Sequence, residues 1–210
     1  MQFGPVTVRN LLLLVSAAAL GGAVVTATIA PPVLPASGAV HQAPPLYILP
    51  APDQYNPAPV RPLSPAPIRL VVPSLRISAP VEALGITQDY SLEAPAGISD
   101  VGWYRLGSSP GASGDAIISG HRGYPGGIPA VFNEIGRLST GDAIDVQFAD
   151  GSTVNFLVTR VYTTPYRSIP AGFFAPDGPP RLTLVTCTGD FDNRSLTYTD
   201  RLVVEARPSA

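Results

Sequence analysis

Three residues in the C-terminal half of the chain, Cys187, His121 and Arg201, have the types and settings that acyl-transfer chemistry needs. Cys187 is the chain's only cysteine and closes the apolar run that begins at Arg181. A lone thiol cannot form an internal disulfide, and in an exported chain it stands out as a candidate nucleophile. Such a nucleophile needs a cation nearby, an acid for the leaving amine and donors for the oxyanion.

His121 lies in the run Ser119-Gly-His-Arg-Gly123, directly after an apolar stretch, and is one of two histidines. A side chain at a strand exit is well placed for catalysis, because binding and catalytic groups concentrate on loops held by a rigid scaffold. Arg201 opens the last predicted strand, and its guanidinium stays charged and offers several donors. Arg194, closer to Cys187 in sequence, is a rival for this role.

Each of these residues also has an ordinary structural interpretation. A lone cysteine is often a small core residue. His121 alone is compatible with a hydrogen-bond partner at a strand end, and Arg201 alone with a surface residue. The conjunction of the three favours an enzyme.

Composition narrows the function further. The chain has 210 residues, 45% of them hydrophobic, and a formal net charge of −2. This length predicts one domain with appendages. No basic run is present, so a nucleic-acid partner is not expected. The acidic residues are scattered and no zinc-ligand spacing occurs, so we expect neither a metal nor a cofactor.

The composition of the N-terminal third of the chain predicts that the protein is exported. Residues 11–30 carry no charged side chain and are long enough for a membrane-spanning helix. With Arg9 before it, the positive-inside rule predicts a cytoplasmic N-terminus (1–10), a membrane anchor (11–30) and an extracytoplasmic remainder. A cleaved signal peptide and a buried core helix are the alternatives. About half of the chain's 25 prolines lie just beyond it, and they predict an extended linker over 31–66.

The remaining residues, 67–210, read as a β-rich domain. Asp150-Gly151 predicts a hairpin turn, and the helical spacing of Val131, Ile135 and Leu138 predicts one short helix over 130–138. Many short strands without βαβ alternation favour a closed or nearly closed β-barrel. The clearest predicted strands are Ile68–Val72, Asp115–Ser119, Ala143–Phe148, Thr153–Tyr162, Leu182–Thr186 and Leu202–Glu205.

The motifs together resemble the sortases, membrane-anchored cysteine transpeptidases of Gram-positive cell surfaces. Ser119-Gly-His-Arg-Gly123 resembles their histidine motif, Leu184-Val-Thr-Cys187 their Leu-x-Thr-Cys pattern, and Arg201-Leu-Val-Val-Glu-Ala206 their final strand. With Val101-Gly-Trp-Tyr104 and the proline-rich lead-in, the resemblance is greatest to the actinobacterial class F sortases. Tyr198-Thr-Asp-Arg201 differs from the Tyr-Arg-Asp-Asn-like arrangement common in that subclass.

The resemblance implies an eight-stranded β-barrel with one or two short helices. It implies cleavage of a Leu-Pro-x-Thr-Gly-like sorting signal between Thr and Gly, and transfer of the acyl group to an amine. Cys187 would form the thioacyl intermediate, His121 would move the protons and Arg201 would stabilise the oxyanion. Thr186 is either an additional donor near the oxyanion or an ordinary strand residue. Partners would be sorting-signal peptides, an amine acceptor and the membrane.

Four alternative functions remain. L,D-transpeptidases also use Cys, His and Arg, but their Ser-x-Gly-Cys-Arg-like run is missing around Cys187. A β-rich surface adhesin or pilin would carry a sorting signal, which Glu205–Ala210 does not resemble. An inactive sortase-like domain and a hydrolase, which releases the acyl group to water, are further alternatives.

Overall fold

The computed structural model describes residues 66–88, 91–124, 127–194 and 197–209. The predicted membrane anchor (11–30) and all but the last residue of the predicted linker (31–66) lie outside these ranges. Within the described ranges, no helix has the length and hydropathy to cross a bilayer.

Ten strands make up the regular structure of the described residues. They are β1 (Pro67–Val72), β2 (Ile77–Leu84), β3 (Val101–Tyr104), β4 (Asp115–Gly120), β5 (Gly123–Tyr124), β6 (Ile128–Pro129), β7 (Ala143–Phe148), β8 (Thr153–Pro165), β9 (Arg181–Asp192) and β10 (Thr197–Pro208).

Eight of these strands form a closed barrel in the order β1-β2-β3-β4-β9-β10-β8-β7, and β5 and β6 pair separately as a small hairpin. The pairs β2–β3 and β4–β9 are parallel, and the other barrel pairs are antiparallel. The barrel predicted from the sequence is therefore confirmed. Its closure leaves no unpaired sheet edge.

The barrel interior is apolar because alternate residues of each strand point inward. The interior cluster draws buried residues from every barrel strand. Examples are Leu70, Val72, Ala79, Val101, Ala116, Ile118, Ile144, Val146, Phe156, Val158, Leu182, Leu184, Val204 and Ala206.

The six predicted strands are all present, several of them longer than predicted, and the predicted hairpin joins β7 to β8. Gly151 takes a positive φ of 85° in its turn, which glycine tolerates without steric cost. Of the barrel strands, β2 and β3 were not predicted. Pro80 weakens the strand pattern of β2 because proline donates no ladder hydrogen bond, and β3 has only four residues.

The predicted helix over 130–138 is wrong. The segment forms turns and a three-residue 3₁₀ turn, Ile135–Arg137. A run of this length is marginal as a helix, and Gly136 weakens it further. Its first backbone N–H groups bond elsewhere, that of Val131 to the Ile98 carbonyl and that of Phe132 to the His121 carbonyl. The segment is thereby tied to the backbone of a candidate catalytic residue.

Candidate active site

Cys187 and Arg201 lie opposite each other on β9 and β10. They are direct partners in the antiparallel register, so their side chains lie on one face of the sheet. On that face, Val185 and Val203 belong to a buried cluster separate from the barrel interior, whereas Leu184 points inward. Both candidate residues are therefore on the outer face of the barrel wall.

The Arg201 side chain is fully buried, with 0% of its surface exposed. Its Nη1 donates to the carbonyl oxygens of Tyr198 (3.0 Å) and Asp200 (2.8 Å), and its Nη2 donates to Thr197 Oγ1 (3.1 Å). The guanidinium carbon also lies 5.4 Å from the centre of the Tyr166 ring. These hydrogen bonds fix the guanidinium in place.

Arg201 was predicted to open the last strand, but β10 begins earlier, at Thr197. The residue lies inside the strand, where both neighbouring strands hold its backbone. Its position is consequently more rigid than a strand-end location would give.

His121 directly follows β4. Strands β4 and β9 run parallel, with Ser119 paired to Val185. Continuing that register by two residues places His121 beside Cys187. The three predicted residues therefore occupy one level on the adjacent chain segments β4, β9 and β10.

The imidazole of His121 is half-buried, and its Nε2 lies 2.8 Å from the carbonyl oxygen of Pro95. A carbonyl oxygen accepts hydrogen bonds but cannot donate them, so Nε2 carries the proton in this contact.

Thr186 lies on the opposite face of β9 from Cys187. Its Oγ1 is buried and donates to the Gly120 carbonyl oxygen at 2.8 Å. The hydroxyl proton is thus directed at the backbone of β4. This contact joins β9 to the residue that precedes His121, and the role of Thr186 as an additional donor near the oxyanion stays a prediction.

Arg194 is not close to these residues. It is exposed in the turn after β9, and its backbone N–H bonds to Asp192 Oδ1. At about 3.3 Å per strand residue, the turn lies roughly 20 Å along the hairpin from Cys187.

Cys187 is 8% exposed. Burial raises the pKa of the Cys187 thiol above its ordinary value, and the positive charges of Arg201 and Arg122 act in the opposite direction. Burial has the larger effect on this pKa. It removes the thiolate from water, which disfavours the charged form. The thiol form therefore dominates near neutral pH.

Arg122 is a functional candidate that the sequence analysis did not single out. It stands next to His121 in the histidine motif, and its guanidinium carbon lies 5.8 Å from the centre of the Tyr198 ring. The sequence feature that could have identified Arg122 is its position directly after a predicted catalytic histidine. No spacing rule distinguishes such an arginine from a solvated one.

A cleft of about 470 Å³ opens beside Cys187. Its lining combines the charged side chains of Arg122, Glu134 and Arg137 with a larger apolar part, to which Phe132 and Leu202 contribute. Thr186, Cys187 and Thr188 of β9 form one wall of the cleft.

Buried apolar side chains pack against the other side of Cys187. The cluster on the outer face contains Leu92, Tyr104, Ile117, Phe173, Val185, Cys187 and Val203. The segment between β8 and β9 supplies Phe173 and Phe174, whose rings pack edge to face at 5.1 Å. Phe174 also packs edge to face on Tyr104 at 5.5 Å.

A buried ion pair holds that segment in place. Arg181 Nη2 lies 3.0 Å from Asp115 Oδ2 and also donates to the Gly172 carbonyl. Thr183 Oγ1 donates to the other carboxylate oxygen at 2.7 Å. Burial raises the pKa of Asp115, although its hydrogen bonds to Arg181 and Thr183 oppose the shift. The apolar wall beside Cys187 therefore depends on a polar anchor further along β9.

Among the described residues, no group of three or more His, Cys, Asp and Glu side chains is arranged to hold a metal ion.

Comparisons with known proteins bear on the family and the fold of this chain. The family model for the sortase domain matches residues 70–209. No curated protein shows a significant sequence match.

Several solved structures share the fold. Sortase A from Corynebacterium diphtheriae matches with a TM-score of 0.53 and 20% identity, covering 70% of this chain and 62% of that one. A pilus-related sortase C of Group B Streptococcus matches with 0.53 and 21%, covering 72% and 70%. Sortase C-1 from Streptococcus pneumoniae matches with 0.53 and 22%, covering 68% and 66%. The match thus spans less than two thirds of the Corynebacterium chain.

Proposed function

This chain belongs to the sortase family of cysteine transpeptidases, and we propose that it cleaves a Leu-Pro-x-Thr-Gly-like sorting signal between Thr and Gly and transfers the acyl part to an amine. The observation that carries the proposal is the placement of His121, Cys187 and Arg201 on three adjacent segments of the barrel wall.

In the first half-reaction, the Cys187 sulfur attacks the threonine carbonyl carbon. The C–N bond to glycine breaks, and the departing amine takes its proton from His121. Because the thiol form dominates, the proton that His121 donates is one that it has accepted from Cys187. The product is a thioester on Cys187.

Arg201 stabilises the negative oxygen that develops in this step. Its buried, fixed guanidinium lies across the hairpin from the sulfur. A preorganised cation in a water-poor site stabilises an oxyanion far more than a solvated one does. Arg194, exposed in the turn after β9, has no such position.

In the second half-reaction, an amine attacks the thioester carbonyl. His121 accepts the amine proton, the C–S bond breaks and the thiolate leaves. Water can replace the amine, which gives hydrolysis as a side activity.

The finer assignments are part of the same proposal. The class F subtype is supported by the segments Val101–Tyr104 and Pro110-Gly111 and by the proline-rich lead-in. The membrane anchor over 11–30, the linker over 31–66 and an extracytoplasmic catalytic domain over 67–210 follow from the sequence. They place the site where surface proteins and cell-wall amines are available.

The test incubates the full chain with a library of Leu-Pro-x-Thr-Gly peptides and an amine such as oligoglycine, with product masses as the readout. We expect a new amide that joins the threonine to the amine, with a smaller amount of free acid. Free acid alone would limit the function to hydrolysis. Intact peptide in the presence of an alkylatable Cys187 would contradict the proposed donor.

A further inference from the structure

The imidazole of His121 contacts a peptide group of the segment between β2 and β3. Its Nε2 donates to the carbonyl oxygen of Pro95 at 2.8 Å, and Pro95 is buried. The N–H of that same peptide group belongs to the next residue, Ala96. Whatever binds this N–H therefore acts on the group that holds the histidine.

A carboxylate binds the N–H end of the peptide group. The backbone nitrogen of Ala96 lies 3.1 Å from Oε1 and 3.3 Å from Oε2 of Glu82. Glu82 is on β2 and points to the outer face of the barrel, because its neighbour Val81 packs against the interior. One peptide group thus joins the Glu82 carboxylate to the His121 ring.

This arrangement has an electrostatic consequence for the histidine. Hydrogen bonds in a chain polarise one another, so an acceptor on the N–H strengthens the bond that the carbonyl oxygen of the same peptide group accepts. A charged acceptor does so more than a neutral one, because charge-assisted hydrogen bonds are the stronger kind. The Pro95 oxygen consequently carries added negative charge, which favours a cationic imidazole.

On these grounds we propose that Glu82 is a positioning residue that acts on His121 through the peptide group joining Pro95 to Ala96. The proposal rests on the proposed function, because it concerns the proton transfer of that reaction. When the S–H bond of Cys187 breaks, the proton bonds to the imidazole and the sulfur keeps the electron pair as thiolate. The polarised Pro95 oxygen stabilises the imidazolium and holds the ring in the orientation from which the proton passes to the departing amine.

The same segment supplies a matched control. The carboxylate of Glu93 also accepts a backbone N–H, that of Gly85 at 2.7 Å, and so fastens the start of the segment beside the end of β2. The N–H that it accepts belongs to a different peptide group from the one that contacts His121. If Glu82 only held the segment in place, Glu82→Gln and Glu93→Gln would have similar effects.

Steady-state cleavage of a Leu-Pro-x-Thr-Gly peptide by the full chain is the first readout. Glu82→Gln keeps an acceptor for the Ala96 N–H but removes the charge, so we expect kcat to fall about fivefold with little change in KM. Glu82→Ala, which removes the acceptor as well, should lose about tenfold or more. Glu93→Gln should keep near-normal kcat. Equal kcat values in Glu82→Gln and Glu93→Gln, whether both fall or neither does, would overturn the proposal.

A further variant separates action through the peptide group from a long-range effect of the carboxylate charge. Ala96→Pro removes the N–H that Glu82 accepts and leaves the Pro95 carbonyl in the chain. In that background Glu82→Gln should cause no further loss of kcat, because the two changes break the same contact. An undiminished loss there would show that Glu82 does not act through this peptide group.

Alkylation of Cys187 by iodoacetamide gives a readout that does not depend on peptide cleavage. A neighbouring imidazolium favours the reactive thiolate, so Glu82→Gln should slow alkylation about fivefold and Glu93→Gln should not. If Glu82→Gln slows alkylation but the unaltered chain cleaves no sorting-signal peptide, the link to His121 stands and the proposed reaction fails. If cleavage occurs but alkylation is equally fast in all three proteins, the reaction stands and the role of Glu82 fails.

Discussion

Cys187 and Arg201 are direct cross-strand partners on the outer face of the β9–β10 hairpin. Hydrogen bonds to two backbone carbonyls and to Thr197 Oγ1 fix the guanidinium. The distance between thiol and guanidinium is therefore set by the sheet itself. This relationship makes the arginine an integral part of the barrel wall, and it suits a contact that must be in place before charge develops.

Replacing Arg201 tests that contact. Arg201→Lys should lower kcat about 100-fold, because lysine retains the charge but cannot satisfy the same acceptors and keep it at the oxyanion. Steady-state peptide cleavage measures the loss. Arg194→Lys is the control and should retain near-normal kcat. The opposite pattern, with the loss in Arg194→Lys, would show that the wrong arginine has been named.

The reactivity of Cys187 should depend on pH in a defined direction. Since burial raises the thiol pKa, the thiolate fraction is small at neutral pH and grows as pH rises. The alkylation rate should therefore keep increasing between about pH 7 and about pH 9. Arg201→Gln should shift the profile to higher pH, because it removes an opposing positive charge. A rate that is already constant from about pH 6 upward would contradict a raised pKa.

The Thr186 hydroxyl should affect catalysis by fixing the position of the backbone just before His121. Thr186→Val removes the bond to the Gly120 carbonyl, so we expect kcat to fall about tenfold as the chain before His121 loses a fixed partner. The KM should change little, and Thr186→Ser should restore most of the rate. Unchanged kcat in Thr186→Val, in a protein with normal thermal unfolding, would remove this role.

The ion pair of Asp115 and Arg181 should matter for stability, and the exposed pair of Glu134 and Arg137 should not. Asp115→Ala leaves Arg181 without its buried carboxylate and should lower the free energy of unfolding by about 2–3 kcal/mol. Glu134→Ala should change it by no more than about 0.5 kcal/mol. Chemical denaturation measures both. Equal effects would mean that Asp115 does not anchor the segment between β8 and β9.

Much of the fold was predictable because period-two alternation and turn residues mark strands directly. Strand β7 was placed at its observed bounds, and the hairpin at Asp150-Gly151 followed from turn chemistry. The segment 130–138 was not predictable, because its backbone bonds to Ile98 and His121 are tertiary contacts. Local helical spacing cannot report such contacts.

Part of the candidate site was also predictable from the sequence, and part of it was not. Residue type and motif pointed to His121, Cys187 and Arg201, since few side chains can act as thiol nucleophile, proton carrier and fixed cation. The use of the Thr186 hydroxyl depends on which face of β9 it occupies, and a one-residue change in register would reverse it. Arg122 was missed because its importance comes from the cleft and from Tyr198, which lies far away in sequence.

Intact-protein mass spectrometry of the full chain with a Leu-Pro-x-Thr-Gly peptide, without added amine, tests the central claim most directly. The proposed mechanism predicts an adduct with the mass of the peptide up to its threonine, located on Cys187 by fragmentation. The adduct and the peptide cleavage should both disappear in Cys187→Ala, while that variant keeps normal thermal unfolding. Peptide cleavage that persists in a folded Cys187→Ala variant would contradict the cysteine mechanism.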